Sequence, residues 1–282
     1  MQIYCAKTNK IILNNPSWPP VRRSFSEGGR LRSGSGSNRK GKKMNRNAYL
    51  SIVVLFSGIM LTSHIQTTQK KQGDAWRKRV FDWIYKNNHW APEEGIPLSG
   101  PGSTLESTVT LRLFLPVIVK AVDAKSILDA GCGDFTWMQS TKLGVEKYIG
   151  ADIAQFIINK NKETYENEIY SFCCLDVVKD ELPKVDIIFC RDCLAHLSNE
   201  DITAAIKNFK KSGATYLLAS TYPKVTINNN MQTGNFRGVN LRAYPFNFPV
   251  PILMFEEISA ERDMKRWGKW MALWRLEDIE VC

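Results

Sequence analysis

Apolar and polar positions follow two rhythms along this chain. From about residue 74, short apolar runs alternate with longer stretches in which apolar residues recur every three to four positions. The short runs predict strands at 126–130, 148–151, 170–175, 185–190, 216–220 and, last, 270–276. The periodic stretches between them predict helices at 135–143, 155–167 and 199–211. Ahead of these, 75–87 reads as an amphipathic helix through Trp76, Val80, Trp83 and Ile84. The run SGPGS at 99–103 is a turn, after which Ser103 or Thr104 caps a helix whose apolar residues include Leu105, Val109, Leu113 and Val117. Strands separated by helical patterns imply a doubly wound, Rossmann-like α/β sheet, mostly parallel, with an antiparallel C-terminal strand and helices on both faces.

The first 73 residues break this pattern. Residues 1–47 carry Pro-Pro, Gly-Gly and a Ser/Gly run with almost no apolar periodicity, too little burial to offset the entropy of ordering, and read as disordered. AYLSIVVLFSGIMLTS (48–63) then holds no charge, and a basic block precedes it. Three readings compete for 48–65. A spanning helix needs about 20 apolar residues, so this one is short. A signal peptide starting at Met44 lacks a clean cleavage site. A buried core helix has nothing upstream to cover it. A single membrane anchor is the favoured expectation, a cytoplasmic protein the alternative. Basic residues on both sides (Arg39 to Arg46; Lys70, Lys71, Arg77, Lys78 and Arg79) leave its orientation open. The domain proper is expected over 74–282.

Charge changes the picture once it is located. The net charge is +10, yet residues 1–47 hold eleven Lys/Arg against Glu27 alone, leaving 27 basic and 27 acidic residues elsewhere. The folded part is neutral, so no nucleic-acid partner is expected. Seven cysteines, an odd number without framework spacing, read as reduced thiols. Cys190-Arg-Asp-Cys193 has no second C-x-x-C to complete a zinc site, and no metal is expected.

The chemistry concentrates at predicted strand ends. In such sheets ligands bind beyond the carboxyl ends of the strands. Gly131-Cys132-Gly133 follows the first strand there, but Thr136 stands where a dinucleotide fingerprint has its third glycine. Asp129 and Asp134 flank the glycines and would repel a pyrophosphate, while suiting a ligand whose nearest part is cationic. S-adenosylmethionine, with a sulfonium, an ammonium and no phosphate, meets that demand. Asp152 closes the second strand, 19 positions after Gly133, where an acid accepts ribose hydroxyls. Asp176 follows the third strand, where it can accept from an adenine amino group.

ILDAGCGD, YIGADI, CCLDV and DIIFCRDCLAHL together resemble the class I S-adenosylmethionine-dependent methyltransferases over roughly 74–282. Within that superfamily the chain is similar to a group with an SGPGS turn before T-x-x-x-R, a DAxCGDFxWM motif, an N-x-x-x-G-x-x-R-x-x-N-L loop and a terminal LW-x-L strand. Gly131 here replaces the proline that many of that group carry. The resemblance implies close donor approach at Gly131 and Gly133, Asp129 near the methionine moiety, Asp152 on the ribose, Asp176 and Val177 near adenine, and donor or acceptor contacts from Arg191 and Asp192. His196, one of three histidines, is the first candidate for a general base, with packing as its bland alternative; Asp192 is the second. Arg112, Asn230, Arg237 and Asn240 are candidates for contacts to the acceptor or to a carboxylate. The long loop 223–251 reads as a lid or as a proline-rich connection. The expected activity is methyl transfer to an oxygen or nitrogen of a small molecule or glycan. A non-catalytic, membrane-tethered binding module is the alternative.

Overall fold

The structure, a computed structural model, describes residues 3–5, 75–258 and 267–281. The segment read as an anchor, 48–65, and all of 1–47 except 3–5 lie outside them. Among the described residues no helix is long and apolar enough to cross a membrane.

Eight strands form one sheet: β1 (Ile3–Cys5), β2 (Ser126–Ala130), β3 (Lys147–Asp152), β4 (Tyr170–Cys174), β5 (Ile187–Cys190), β6 (Tyr216–Thr221), β7 (Leu253–Glu256) and β8 (Trp270–Arg275), in the order β1-β7-β8-β6-β5-β2-β3-β4. Strands β4, β3, β2, β5 and β6 run parallel. The last strand, β8, inserts antiparallel between β6 and β7, as its expected direction requires. Helices α1 (75–86), α2 (Val109–Ala121), α3 (Gln155–Tyr165) and α4 (Asn199–Lys211) connect or precede the strands. The central strands read as continuous apolar runs because both faces are covered: Ile127, Leu128, Ile187, Ile188, Leu217 and Leu218 are fully buried.

Helix α4 has the most clearly encoded boundaries. The Ser198 side chain accepts from the Asp201 amide at 3.1 Å, Glu200 and Asp201 sit in the first turn, and Lys210 and Lys211 in the last, matching the helix dipole at both ends. Three expectations fail, each for a local reason. Ile3–Cys5, inside the stretch read as disordered, pairs antiparallel with β7; three residues are too few to show a period. β7 itself falls in a run too short and too close to prolines to register as a strand. The helix expected at 135–143 shrinks to a single 3-10 turn, Met138–Ser140. Phe135 adopts a left-handed φ of 60°, and the Asp134 carboxylate takes the Thr136 amide at 3.2 Å, which diverts the backbone from a helix. The strain at Phe135 places its ring among Tyr148, Tyr165, Tyr170 and Phe172.

Helix α2 forms, but on the opposite phase. Leu105, Val109, Leu113 and Val117 face outward, with Leu113 65% and Val117 61% exposed, while Leu111, Leu115, Ile118 and Val119 are buried. VTLRLFLPVIVKA is apolar on most sides, so two helical stripes compete in the sequence and only packing selects one. Similarly, Trp76 and Trp83 of α1 are exposed instead of joining the core. Leu115→Ala should therefore cost about 2–5 kcal/mol in urea unfolding, against at most about 0.5 kcal/mol for Leu113→Ala; equal costs would reverse the assigned face.

Candidate functional site

The sheet order reverses direction at β2, which has β3 on one side and β5 on the other. The loops leaving β2 and β5 meet there, and a cavity of about 280 Å³ opens beyond the strand ends. Gly131 (φ 85°) lies where any Cβ would come 2.7 Å from Cys193 Cβ, so only glycine lets the two loops touch. Gly133 (φ 59°) faces the 99–103 turn, and a Cβ there would sit 2.2 Å from Ser99 Oγ. Ser99 and Asp134 bond reciprocally: Ser99 N–H donates to Asp134 Oδ2 (3.2 Å), and Asp134 N–H donates to Ser99 Oγ (2.9 Å). This closes the SGPGS turn onto the glycine loop.

Nine of the residues expected at the site line the cavity: Asp129, Gly131, Gly133, Asp152, Asp176, Val177, Arg191, Asp192 and His196. Asp134 does not; it braces the turn, and with no full helix after the loop its expected role at a helix N-terminus does not arise. Arg112 bonds to the Leu105 carbonyl in the turn before its helix and does not line the cavity. Asn230 holds the Glu200 carboxylate and accepts from the Asn199 amide. Arg237 donates to the Leu197 carbonyl and to Asn199 Oδ1, each at 2.6 Å. Asn240 ties the Val225 carbonyl to its own loop. These four secure the fold around the site without lining it.

The acids at the strand ends divide into two kinds. Asp152 accepts from Gly133 N–H at 3.2 Å and Ala154 N–H at 2.9 Å, and burial raises it to about 6. Burial likewise raises Asp129 to about 7, although the Tyr148 hydroxyl donates to it. Asp176 and Asp192, by contrast, have cationic partners. Arg77 of α1 donates Nε (3.1 Å) and Nη2 (2.9 Å) to Asp176 Oδ2 and Nη1 to Asp201 (2.8 Å); burial still leaves Asp176 above its ordinary value. Burial would raise Asp192 too, but Lys269 and Arg191 overcome it and hold the carboxyl well below the usual range. Lys269 bonds Asp192 and lies 2.9 Å from Glu257; Arg191 clasps Glu257 and donates to the Gly102 carbonyl at 2.8 Å. The Tyr222 hydroxyl completes the group on Asp192 Oδ1 at 2.9 Å.

His196 lines the same cavity. Its Nδ1 lies 2.8 Å from the Asn235 carbonyl, which can only accept, so Nδ1 carries the proton and Nε2 the lone pair. Trp90, Phe236 and Phe81 pack round the imidazole at 4.7, 5.1 and 6.4 Å between ring centroids. Their desolvation lowers its pKa below 6.5, leaving the ring neutral at pH 7.

The sequence pattern did not single out Arg77, Trp90, Phe236, Glu257 or Lys269. Two carried a usable signal, since Lys269 in WGKWMALW and Glu257 after LMFE interrupt apolar stretches and a charge buried there needs a partner.

Comparison with known proteins bears on the fold that carries this cavity. Residues 127–212 match the family model described as a methyltransferase domain. The N-methyltransferase NodS from Bradyrhizobium japonicum WM9, solved with S-adenosyl-L-homocysteine, superposes with a TM-score of 0.50 at 14% identity, covering 68% of this chain and 97% of that one. The chain has the class I methyltransferase fold. Magnesium protoporphyrin IX methyltransferase from Synechocystis PCC 6803, with bound SAM, is similar at 15% identity and a TM-score of 0.42, over 61% of this chain and 78% of that one. A search of curated proteins gives no match. In this chain β1 forms one edge of the sheet, and α1 is pinned at the strand ends.

Arg77 is the pin. Removing one partner of a buried pair strands the other's charge, so Arg77→Gln should lower unfolding stability by about 3–5 kcal/mol. Unfolding in urea measures it; a loss under about 1 kcal/mol would mean that α1 is held by its apolar face alone.

Proposed function

We propose that this protein is an S-adenosylmethionine-dependent methyltransferase acting on an oxygen or nitrogen of a small molecule. The observation that carries this reading is Asp152, a buried carboxylate at the second strand end with both oxygens on backbone N–H groups. Such a group favours a vicinal diol, which donates two hydrogen bonds and brings no negative charge. The remaining donor set agrees. Asp129 lies next along the strand ends and favours a cation, while Asp176 and Val177 border the adenine side. A pyrophosphate in the same place would lie against Asp129 and Asp152, with like charges opposed.

When bound, S-adenosylmethionine supplies a methyl group on a cationic sulfur. The chain's own residues do the rest. The 99–103 turn and α1 cover the donor side, and Trp90, Phe81 and Phe236 keep water from the acceptor side. His196 Nε2 is a neutral lone pair aimed by the Nδ1 bond to Asn235 and can take the acceptor's proton. Asp192, held ionised by Lys269 and Arg191, is too weak a base for that step and instead fixes the β5 loop. Attachment to a membrane through 48–65 belongs to the same proposal and rests on the sixteen uncharged residues 48–63.

Two measurements test this. By calorimetry, S-adenosylhomocysteine should bind the full chain and lose at least roughly tenfold in affinity in Asp152→Asn, which keeps the shape and removes the charge-assisted acceptor. Unchanged affinity would refute the ribose assignment. Turnover should fall as pH drops through the lowered His196 pKa, below 6.5, because only the neutral ring accepts a proton; His196→Gln should lose about 10²–10⁴ in rate and that acid limb with it.

A further inference from the structure

Part of the cavity wall is aromatic: Trp90, Phe236 and Phe81 pack round His196, and Leu197 lines the cavity beside it. Its chemistry is narrow. The cations that reach it, Arg191 and Lys269, are committed to Glu257 and Asp192, so two positive and two negative groups cancel in one buried cluster. An entering carboxylate or phosphate would find no uncommitted cation among the described residues lining the cavity and would lie against Asp192. A polyhydroxylated acceptor fares little better. The Asp192 carboxylate is already occupied by Tyr222, Lys269 and Arg191, and buried hydroxyls without partners cost free energy each. One acceptor stays unengaged among these described side chains: His196 Nε2, since the ring's hydrogen bond is made by Nδ1.

Aromatic walls with a single acceptor handle fit a flat ligand with a single donor. Resting on the methyltransferase reading above, we infer that the acceptor is an uncharged aromatic ring bearing a hydroxyl, a phenol, whose face packs on Trp90 and Phe236 and whose O–H points at His196 Nε2. The group transfer balances on these atoms. The aryl oxygen gains the methyl carbon, and the carbon–sulfur bond of the donor breaks with its electron pair left on sulfur. The phenolic proton passes to Nε2, so the donor's positive charge ends on the imidazolium. The aryl oxygen becomes an ether.

The test uses the full chain with S-adenosylhomocysteine, whose own binding is measured first. If it does not bind, the methyltransferase reading fails and this inference with it. With it bound, four probes separate ring, charge and hydroxyl count: 4-methylphenol, 4-methylbenzoate, 4-methylcyclohexanol and methyl glucoside, followed by tryptophan fluorescence and the His196 ring resonances. Saturable binding of 4-methylphenol is expected, about tenfold or more tighter than each of the others, with a shift of the His196 signal. Phe236→Ala, checked for retained S-adenosylhomocysteine binding, should weaken it by about tenfold; Phe236→Leu replaces it if the alanine variant does not fold. Equal or tighter binding of the benzoate, cyclohexanol or glucoside overturns the inference. So does an absence of saturable phenol binding, or an affinity indifferent to residue 236, in protein that binds S-adenosylhomocysteine.

Discussion

The pocket depends on a contact that admits no side chain: the 99–103 turn resting on Gly133. Ser99 and Asp134 exchange two hydrogen bonds across it, and a Cβ at 133 would sit 2.2 Å from Ser99 Oγ. This contact ties the 99–103 turn to the end of β2. It brings Gly102 within reach of Arg191 on the β5 loop. It also lets α1 lie over the strand ends, where Arg77 finds Asp176 and Asp201. Without that cover the row of carboxylates would face bulk water. Asp152 and Asp129 would then lose the burial that raises them to about 6 and about 7.

Four aspartates at four strand ends thus do two different jobs. Asp129 and Asp152 are buried with only hydroxyl or amide donors, a costly state that a cationic, diol-bearing ligand relieves. Asp176 and Asp192 are neutralised by Arg77, Lys269 and Arg191, and hold loops in place. On the proposed reading the donor's ribose and amino acid moiety meet Asp129 and Asp152, which lack cationic partners among the described residues, while Asp176 on the adenine side and Asp192 are already balanced. His196 is packed among aromatic rings that keep it neutral, as the proposed role of base requires.

The parallel core was legible because buried parallel strands write themselves as apolar runs ending in Asp or Gly. Nine of the expected site residues fall together for the same reason, lying in the last two residues of a strand or within six positions beyond its end. What stayed hidden lies in other physics. The burial phase of α2 could not be read from a helix apolar on most sides. The missing helix at 135–143 turns on a left-handed φ at Phe135, which nothing in its side chain announces. Arg77, Glu257 and Lys269 reach the site from 66 to 99 positions away in the chain, and only the folded topology brings them to Asp176, Arg191 and Asp192.

The central claim is that the glycine loop and Asp152 hold the ribose of an S-adenosyl donor. A crystal structure of the full chain grown with S-adenosylhomocysteine addresses it directly. The account predicts the ribose hydroxyls on the Asp152 carboxylate, the adenine beside Asp176 and Val177, and the amino acid moiety toward Asp129. A ligand bound elsewhere, or a ribose turned away from Asp152, would contradict it.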